Sequence, residues 1–191
     1  MAVDGERVRL PAGDEVVVRA LRPEDRERLA AAFERLGERS RFQRFMTPKR
    51  SLTPSELTYL TEVDHVDHEA IGAIHPATGA GLGVARYIRL PERPTVAEAA
   101  VAVVDDWQGR GLGRLLLDRL VTRAEENGIE RFRALLIATN DAVRNLLAGI
   151  GEVRVLRSGD GVMELEVELP VDRQCLRLAL RGAARGDASP A

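Results

Sequence analysis

The chain reads as an α/β (α+β) protein, with a mixed, mostly antiparallel central sheet flanked by helices. Three observations predict this. A strand-like opening run is followed by helical spacing as far as Thr61; three β-rich runs separated by turn-forming residues lie between His68 and Val104; and from Gly109 to Leu169 apolar helices alternate with strands. No internal repeat is present.

In order, Glu15-Val16-Val17-Val18-Arg19 is a strand, and Val8 to Leu10, ahead of the Gly13 turn, pairs with it as a hairpin. Pro23 with Glu24 and Asp25 behind it is a helix start signal. Leu29, Ala32, Phe33 and Leu36 continue at helical spacing until Gly37. Ser40 to Phe45 forms a second short helix, and Thr53-Pro54-Ser55-Glu56 is a capped start for a third, carried on by Leu57, Leu60 and Thr61. His68 to His75 and Leu82 to Leu90 are strands around a hairpin loop at Pro76 to Gly81. A second turn, Pro91 to Pro94, leads into Val96 to Val104. A helix from about Gly109 to Asn127 buries Leu112, Leu115, Leu116, Leu120 and Ala124. Phe132 to Ala138 is a strand with a continuous apolar core. Asn140 opens a helix through about Ala148, and Val153 to Leu156 and Val162 to Leu169 form a last hairpin around Gly159-Asp160-Gly161. Residues 1–170 are expected to form the domain, with its core at about 15–169, and residues 171–191 a partly disordered extension in which Leu176, Leu178 and Leu180 suggest a short element.

Composition narrows the function classes. With 45% hydrophobic and 30% charged residues the chain is globular, no apolar stretch approaches a membrane span, and the N-terminus lacks the apolar core of a signal peptide. A net charge of −2 gives no electrostatic reason to expect nucleic acid. The single Cys175 rules out an intrachain disulfide framework, so the cytoplasm is the expected compartment. Lys49 is the only lysine among 28 basic residues. A GC-rich bacterial genome accounts for this, as does a lysine-modifying enzyme that avoids modifying itself; composition does not separate the two. His65, His68 and His75 stand among Asp64, Asp67 and Glu69, a pattern read as a solvated loop with turn histidines; no metal is expected.

The chemistry concentrates in Val103 to Asp118, VVDDWQGRGLGRLLLD. A β-type run enters a glycine turn, Gln108-Gly109-Arg110-Gly111-Leu112-Gly113, which opens an apolar helix. Backbone lacking Cβ atoms approaches a ligand closely, and a helix N-terminus favours an anion. Arg110 and Arg114 oppose the helix dipole, which a bound phosphate would explain. A Walker loop needs Lys-Ser/Thr after its last glycine, whereas Arg114-Leu115 follows Gly113; a dinucleotide fingerprint needs glycine where Arg114 stands. The remaining pattern, Gln-x-x-Gly-x-Gly between strand and helix, resembles the coenzyme A signature of the GNAT superfamily of acyl-CoA-dependent N-acyltransferases. The order of elements over residues 15–169 is similar to that fold.

The resemblance implies a sheet splayed between its fourth and fifth core strands and acetyl-CoA as co-substrate. It places the pyrophosphate on the backbone N–H groups of Gln108, Gly109, Arg110, Gly111, Leu112, Gly113 and Arg114, and the pantetheine arm along Val103 and Val104. It also places Asn140 against the cofactor arm. Glu98, 10 residues before Gln108 in an otherwise apolar strand, is the candidate general base, with a pKa raised by desolvation. The family often carries a tyrosine seven residues after the asparagine to protonate the departing thiolate; Leu147 stands there. Ser40 to Met46, Leu60 to Asp64 and Gly83 to Tyr87 are similar to the GNAT domain of bacterial protein lysine acetyltransferases, which modify acyl-CoA synthetases. Those enzymes often carry a fused regulatory domain, and none is expected within 191 residues. The expected activity is acetyl transfer to a primary amine, with a protein lysine as acceptor, by a monomer or homodimer. A small-molecule amine acceptor, or a CoA-binding regulatory module without turnover, are the alternatives.

Overall fold

A computed structural model describes residues 3–170; the expectations for Cys175 and for residues 171–191 lie outside them. An N-terminal hairpin, β1 (Glu6–Arg9) and β2 (Glu15–Ala20), leads through a single 3-10 turn (Pro23–Asp25) into α1 (Arg26–Glu34), α2 (Glu38–Phe45) and α3 (Pro54–Thr61). Three long strands follow: β3 (His68–Ile74), β4 (Gly81–Leu90) and β5 (Arg93–Val103). Then come α4 (Leu112–Glu126), β6 (Arg131–Ile137), α5 (Asp141–Ala148), β7 (Val153–Gly159) and β8 (Val162–Glu168). The eight strands form one sheet in the order β1-β2-β3-β4-β5-β6-β8-β7, in which β5 and β6 are the parallel pair.

Local chemistry explains the element ends. Thr53 and Glu56 form a reciprocal capping box at the start of α3, with Pro54 in its first turn. The β7–β8 hairpin closes on Asp160 and Gly161 at φ 52° and 76°, the two left-handed residues a turn matching the strand twist requires. Asp25, 3% exposed, accepts from both guanidinium nitrogens of Arg19 (2.6 and 2.7 Å), from the Arg22 N–H (2.9 Å) and from Arg28, which pins the turn from β2 into α1. Burial pushes its carboxyl up, but these donors outweigh burial and hold it below the usual range.

The core lies mainly between the sheet and α4, which buries Leu112, Leu116, Leu117, Leu120, Val121 and Ala124. Leu117 takes a core position where Leu115, expected there, is half-buried. A second departure concerns β6: Leu135 is 50% exposed, because the face of β6 opposite α4 is open rather than covered. The third is Glu69. It is fully buried, not part of a solvated loop, and accepts from the Ala70 N–H (2.8 Å) and Arg123 Nε (3.1 Å), with His65 Nδ1 at 2.8 Å. Beside it the Tyr87 hydroxyl donates to the Val66 carbonyl and accepts from Asn127, which also donates to the His65 carbonyl. This network ties the start of β3 to the last turn of α4.

Candidate active site

β5 and β6 pair over three residues only, Val96 with Arg131, Ala97 with Phe132 and Glu98 with Arg133. Beyond Glu98, β5 stays bonded to β4 as far as Val103, opposite Gly83, while its β6 side has no ladder partner. This is the expected parting of the fourth and fifth core strands. An extended ligand carrying amides can occupy the vacated ladder positions, because half-buried backbone N–H and C=O groups need partners.

The glycine turn sits directly after β5. Gly109 and Gly111 have φ of 74° and 90°, values that L side chains rarely adopt. Gly111 is the N-cap of α4 and no side chain caps that helix, so its first N–H groups face outward. Gly113 lets α4 approach α5, since a Cβ there would lie 3.2 Å from Leu146 Cδ1. Gln108 has a bracing role: its side-chain amide donates to the Val103 carbonyl (3.0 Å) and reaches Asp105 and Ser40. The two arginines are not uncompensated cations, which corrects the charge argument made from sequence. Arg110 donates to Asp14 (3.1 Å) and lies 5.1 Å from the Trp107 ring centroid, and Arg114 donates to Asp118 (2.8 Å). Both pairs are solvent-accessible and therefore weak. The backbone N–H groups of the turn, rather than charge imbalance, carry the case for an anion.

Glu98 lies at the last paired position of β5 and β6, where the strands part. It is exposed, so the expected desolvation is absent. It shares a sheet face with Ala100, Ala102 and Val104, which with Val84 and Arg86 of β4 form the floor of a cavity roofed by α1, α2 and α3. The buried Val104 side chain belongs to that floor, and its backbone N–H already donates to the Leu82 carbonyl (3.0 Å) while its carbonyl accepts from the Trp107 N–H (2.9 Å), so the cofactor contact expected of Val104 falls to Val103. Arg44 of α2 enters the same cavity and is attracted by Glu98. Arg44 and Arg86 fall within the segments Ser40 to Met46 and Gly83 to Tyr87 that carry the resemblance, but the sequence assigns neither a role, since each is one arginine in a chain full of them.

Asn140 is buried and caps α5, its side-chain oxygen accepting from the Val143 N–H at 3.3 Å. Leu147 is 3% exposed within the core cluster. Leu147→Tyr is therefore expected to overpack the site and destabilise the protein by about 1–3 kcal/mol, measured by chemical denaturation; an unchanged midpoint would show that a ring fits. His65 faces Glu69, and His75 Nδ1 accepts from the N–H groups of Ala77 and Thr78. The Nε2 of His68 accepts from Arg86 at 3.1 Å, and burial together with that guanidinium pushes its imidazole down to about 4.

A mixed sheet opened at its parallel pair, with a glycine turn and an uncapped helix start at the opening, is the architecture of the GNAT fold. The chain belongs to the acetyltransferase (GNAT) family, whose model matches residues 29–151. It is 33% identical over 163 residues to the acetyltransferase Pat of Mycolicibacterium smegmatis, covering 85% of this chain and 48% of that one. It thus spans about half the length of that relative. A Pseudomonas aeruginosa acetyltransferase is 33% identical over 156 residues, covering 80% of this chain and 83% of the other. The GNAT domain of S. lividans PAT superposes with a TM-score of 0.79 at 31% identity, covering 86% of this chain and 96% of that one. Among the described residues no helix is long and apolar enough to cross a membrane.

Proposed function

We propose that this protein transfers the acetyl group of acetyl-CoA to a primary amine, the side chain of a protein lysine, in the cytoplasm. One observation carries the reading: β5 loses its parallel partner after Glu98 and runs, with a free edge, straight into the glycine turn at the uncapped start of α4. The residues fit the cofactor. Backbone N–H groups from Gly109 to Arg114 would hold the pyrophosphate, that of Gln108 being bonded to the Asp105 carbonyl; the free edge of β5 up to Val103 would bond the amides of the arm, and Asn140 would flank it. Bound acetyl-CoA supplies a thioester carbonyl activated for attack by an amine.

Glu98, directly or through a water, takes the proton from the incoming ammonium, and its exposure leaves it free to pass that proton to solvent. N–H donors on the free edge of β5 near Val103 are available to the acyl oxygen. With Leu147 in place of a tyrosine, solvent protonates the thiolate, whose ordinary pKa is only about 8.5. The similarity to two acetyltransferases and to the GNAT domain of a PAT supports acetyl transfer; the resemblance of Ser40 to Met46, Leu60 to Asp64 and Gly83 to Tyr87 to bacterial protein lysine acetyltransferases favours a protein acceptor, such as a lysine of an acyl-CoA synthetase.

Acetyl-CoA at a hundred times its Kd should stabilise the fold by about 2.7 kcal/mol, read as a thermal shift. Gly111→Asp should abolish the shift by setting a carboxylate against the phosphates. Gly111→Asn carries the same backbone strain without the charge and should lose less of it. No shift with millimolar acetyl-CoA would overturn the reading. Thiol release with a lysine peptide against a panel of small amines then identifies the acceptor. Turnover by Leu147→Tyr alone, with none by the native chain, would make the native protein a CoA-binding module.

A further inference from the structure

Arginine is the dominant cation of this chain, and the structure pairs it consistently. Among the described residues, every other arginine that is buried or half-buried is ion-paired to a carboxylate: Arg19 and Arg28 to Asp25, Arg35 to Asp106, Arg123 to Glu69, and the rest likewise. The arginines without such a pair, Arg9, Arg39, Arg50, Arg154 and Arg157, are exposed. Arg44 and Arg86 are the exception. Both line the cavity between α1–α3 and the sheet, whose other walls include Phe33, Leu52, Leu60 and Ala100.

Arg86 is 5% exposed, and its guanidinium donates only to neutral acceptors, the Leu60 carbonyl at 3.0 Å and His68 Nε2 at 3.1 Å. His68, itself stacked 5.1 Å from Tyr59, brings no negative charge. Arg44 rests against the Phe45 ring at 5.0 Å, and the one carboxylate acting on it is the more distant Glu98. Burial and the neighbouring Arg44 push the Arg86 guanidinium down to about 9, the mark of two like charges sharing a poorly solvated space. Unpaired buried charge is expensive, and two arginines lining one apolar cavity without a carboxylate partner are most economically explained by an anion that enters it.

We propose that Arg44 and Arg86 form a carboxylate-binding subsite in the acceptor pocket, so that the amine acetylated is one with a carboxylate close beside it. This rests on the reading that the Glu98 face receives the acceptor. The register supports it: Arg86 is paired with Ala100 and Ile88 with Glu98, so Arg86 and Glu98 are diagonal neighbours on one face, about 7–8 Å apart at the backbone. One small molecule, or one lysine with an acidic neighbour, spans that distance with its amine at Glu98 and its carboxylate on the arginines. Planar guanidiniums suit a carboxylate better than a point cation would.

The subsite is tested by binding and by kinetics. Hexanoate should bind the full-length protein in the presence of CoA roughly ten- to a hundredfold more tightly than hexanamide, and Arg44→Gln should bring that ratio close to one. Arg44 is chosen because it is half-buried and its replacement leaves the Arg86 contacts to Leu60 and His68 in place. Equal affinity for the two probes, or a ratio that survives Arg44→Gln, overturns the proposal. Because this readout needs no turnover, it stands apart from the acetyl-CoA shift that tests the activity. In thiol-release assays, a preference for leucine over leucinamide assigns a free small acceptor. A preference for a lysine peptide flanked by Glu over one flanked by Gln assigns a protein acceptor. Turnover with no preference in either pair also overturns the proposal.

Discussion

Glu98→Gln is expected to lower turnover by roughly a hundredfold or more at neutral pH while leaving acetyl-CoA affinity little changed. An amine with a pKa near about 10.4 is almost wholly protonated at neutral pH, so attack on the thioester waits for a proton to leave. A glutamine keeps the shape of the side chain and removes that acceptor. As the pH rises towards the amine pKa the free amine becomes abundant, and the deficit of the variant should shrink. Position adds weight to the expectation, because Glu98 is the last β5 residue bonded to β6 and stands where the two strands part. A full pH–rate profile of kcat and KM for both proteins decides the matter. Equal rates at all pH values would remove Glu98 from the mechanism; a deficit that persists unchanged at high pH would assign it to binding instead.

Much of the architecture is legible from neighbouring residues because its signals are local. The Thr53–Glu56 capping box, the Asp160-Gly161 turn and the glycines at 109 and 111 each act within a few positions, and the structure shows each in the conformation its chemistry requires. What was not legible depends on partners far away in sequence. Glu69 stands beside Asp64 and Asp67 and looks as solvated as they do. Asp64 does cap a turn, accepting from the N–H groups of Val66, Asp67 and His68. Glu69 instead turns inward to Arg123, 54 residues on, which no local pattern announces. Glu98 misleads in the opposite sense: apolar neighbours suggest desolvation, yet the parting of the strands leaves it exposed. Leu135 is exposed for a similar reason, since nothing in its own strand tells that the face opposite α4 is open. In the candidate site the glycine turn and the Asn140 cap are readable as motifs, whereas Arg44 and Arg86 gain meaning only when α2 and β4 bring them to one cavity.

Glu69→Ala should cost about 1–3 kcal/mol of stability, as expected when a buried N–H loses its acceptor; the Arg123 side chain, 41% exposed, stays open to solvent. The carboxylate is fully buried and holds three groups at once: the Ala70 N–H, His65 and Arg123. Truncation leaves a buried N–H without its acceptor and the Arg123 guanidinium with only Glu126. For a domain of this size such a loss corresponds to a fall in Tm of about 2–12 °C. Glu69→Gln separates packing from charge, since its amide oxygen can still accept from the Ala70 N–H while the attraction to Arg123 is gone; it should fall between the native protein and the alanine variant. The effect should be confined to folding. The network joins β3 to the last turn of α4, whereas the glycine turn lies at that helix's first, so the stabilisation by saturating acetyl-CoA should keep its size in both variants. A loss well below about 1 kcal/mol in Glu69→Ala, smaller than the ordinary cost of a buried N–H left without its acceptor, would mean that solvent replaces the carboxylate and that the network is not what ties β3 to α4.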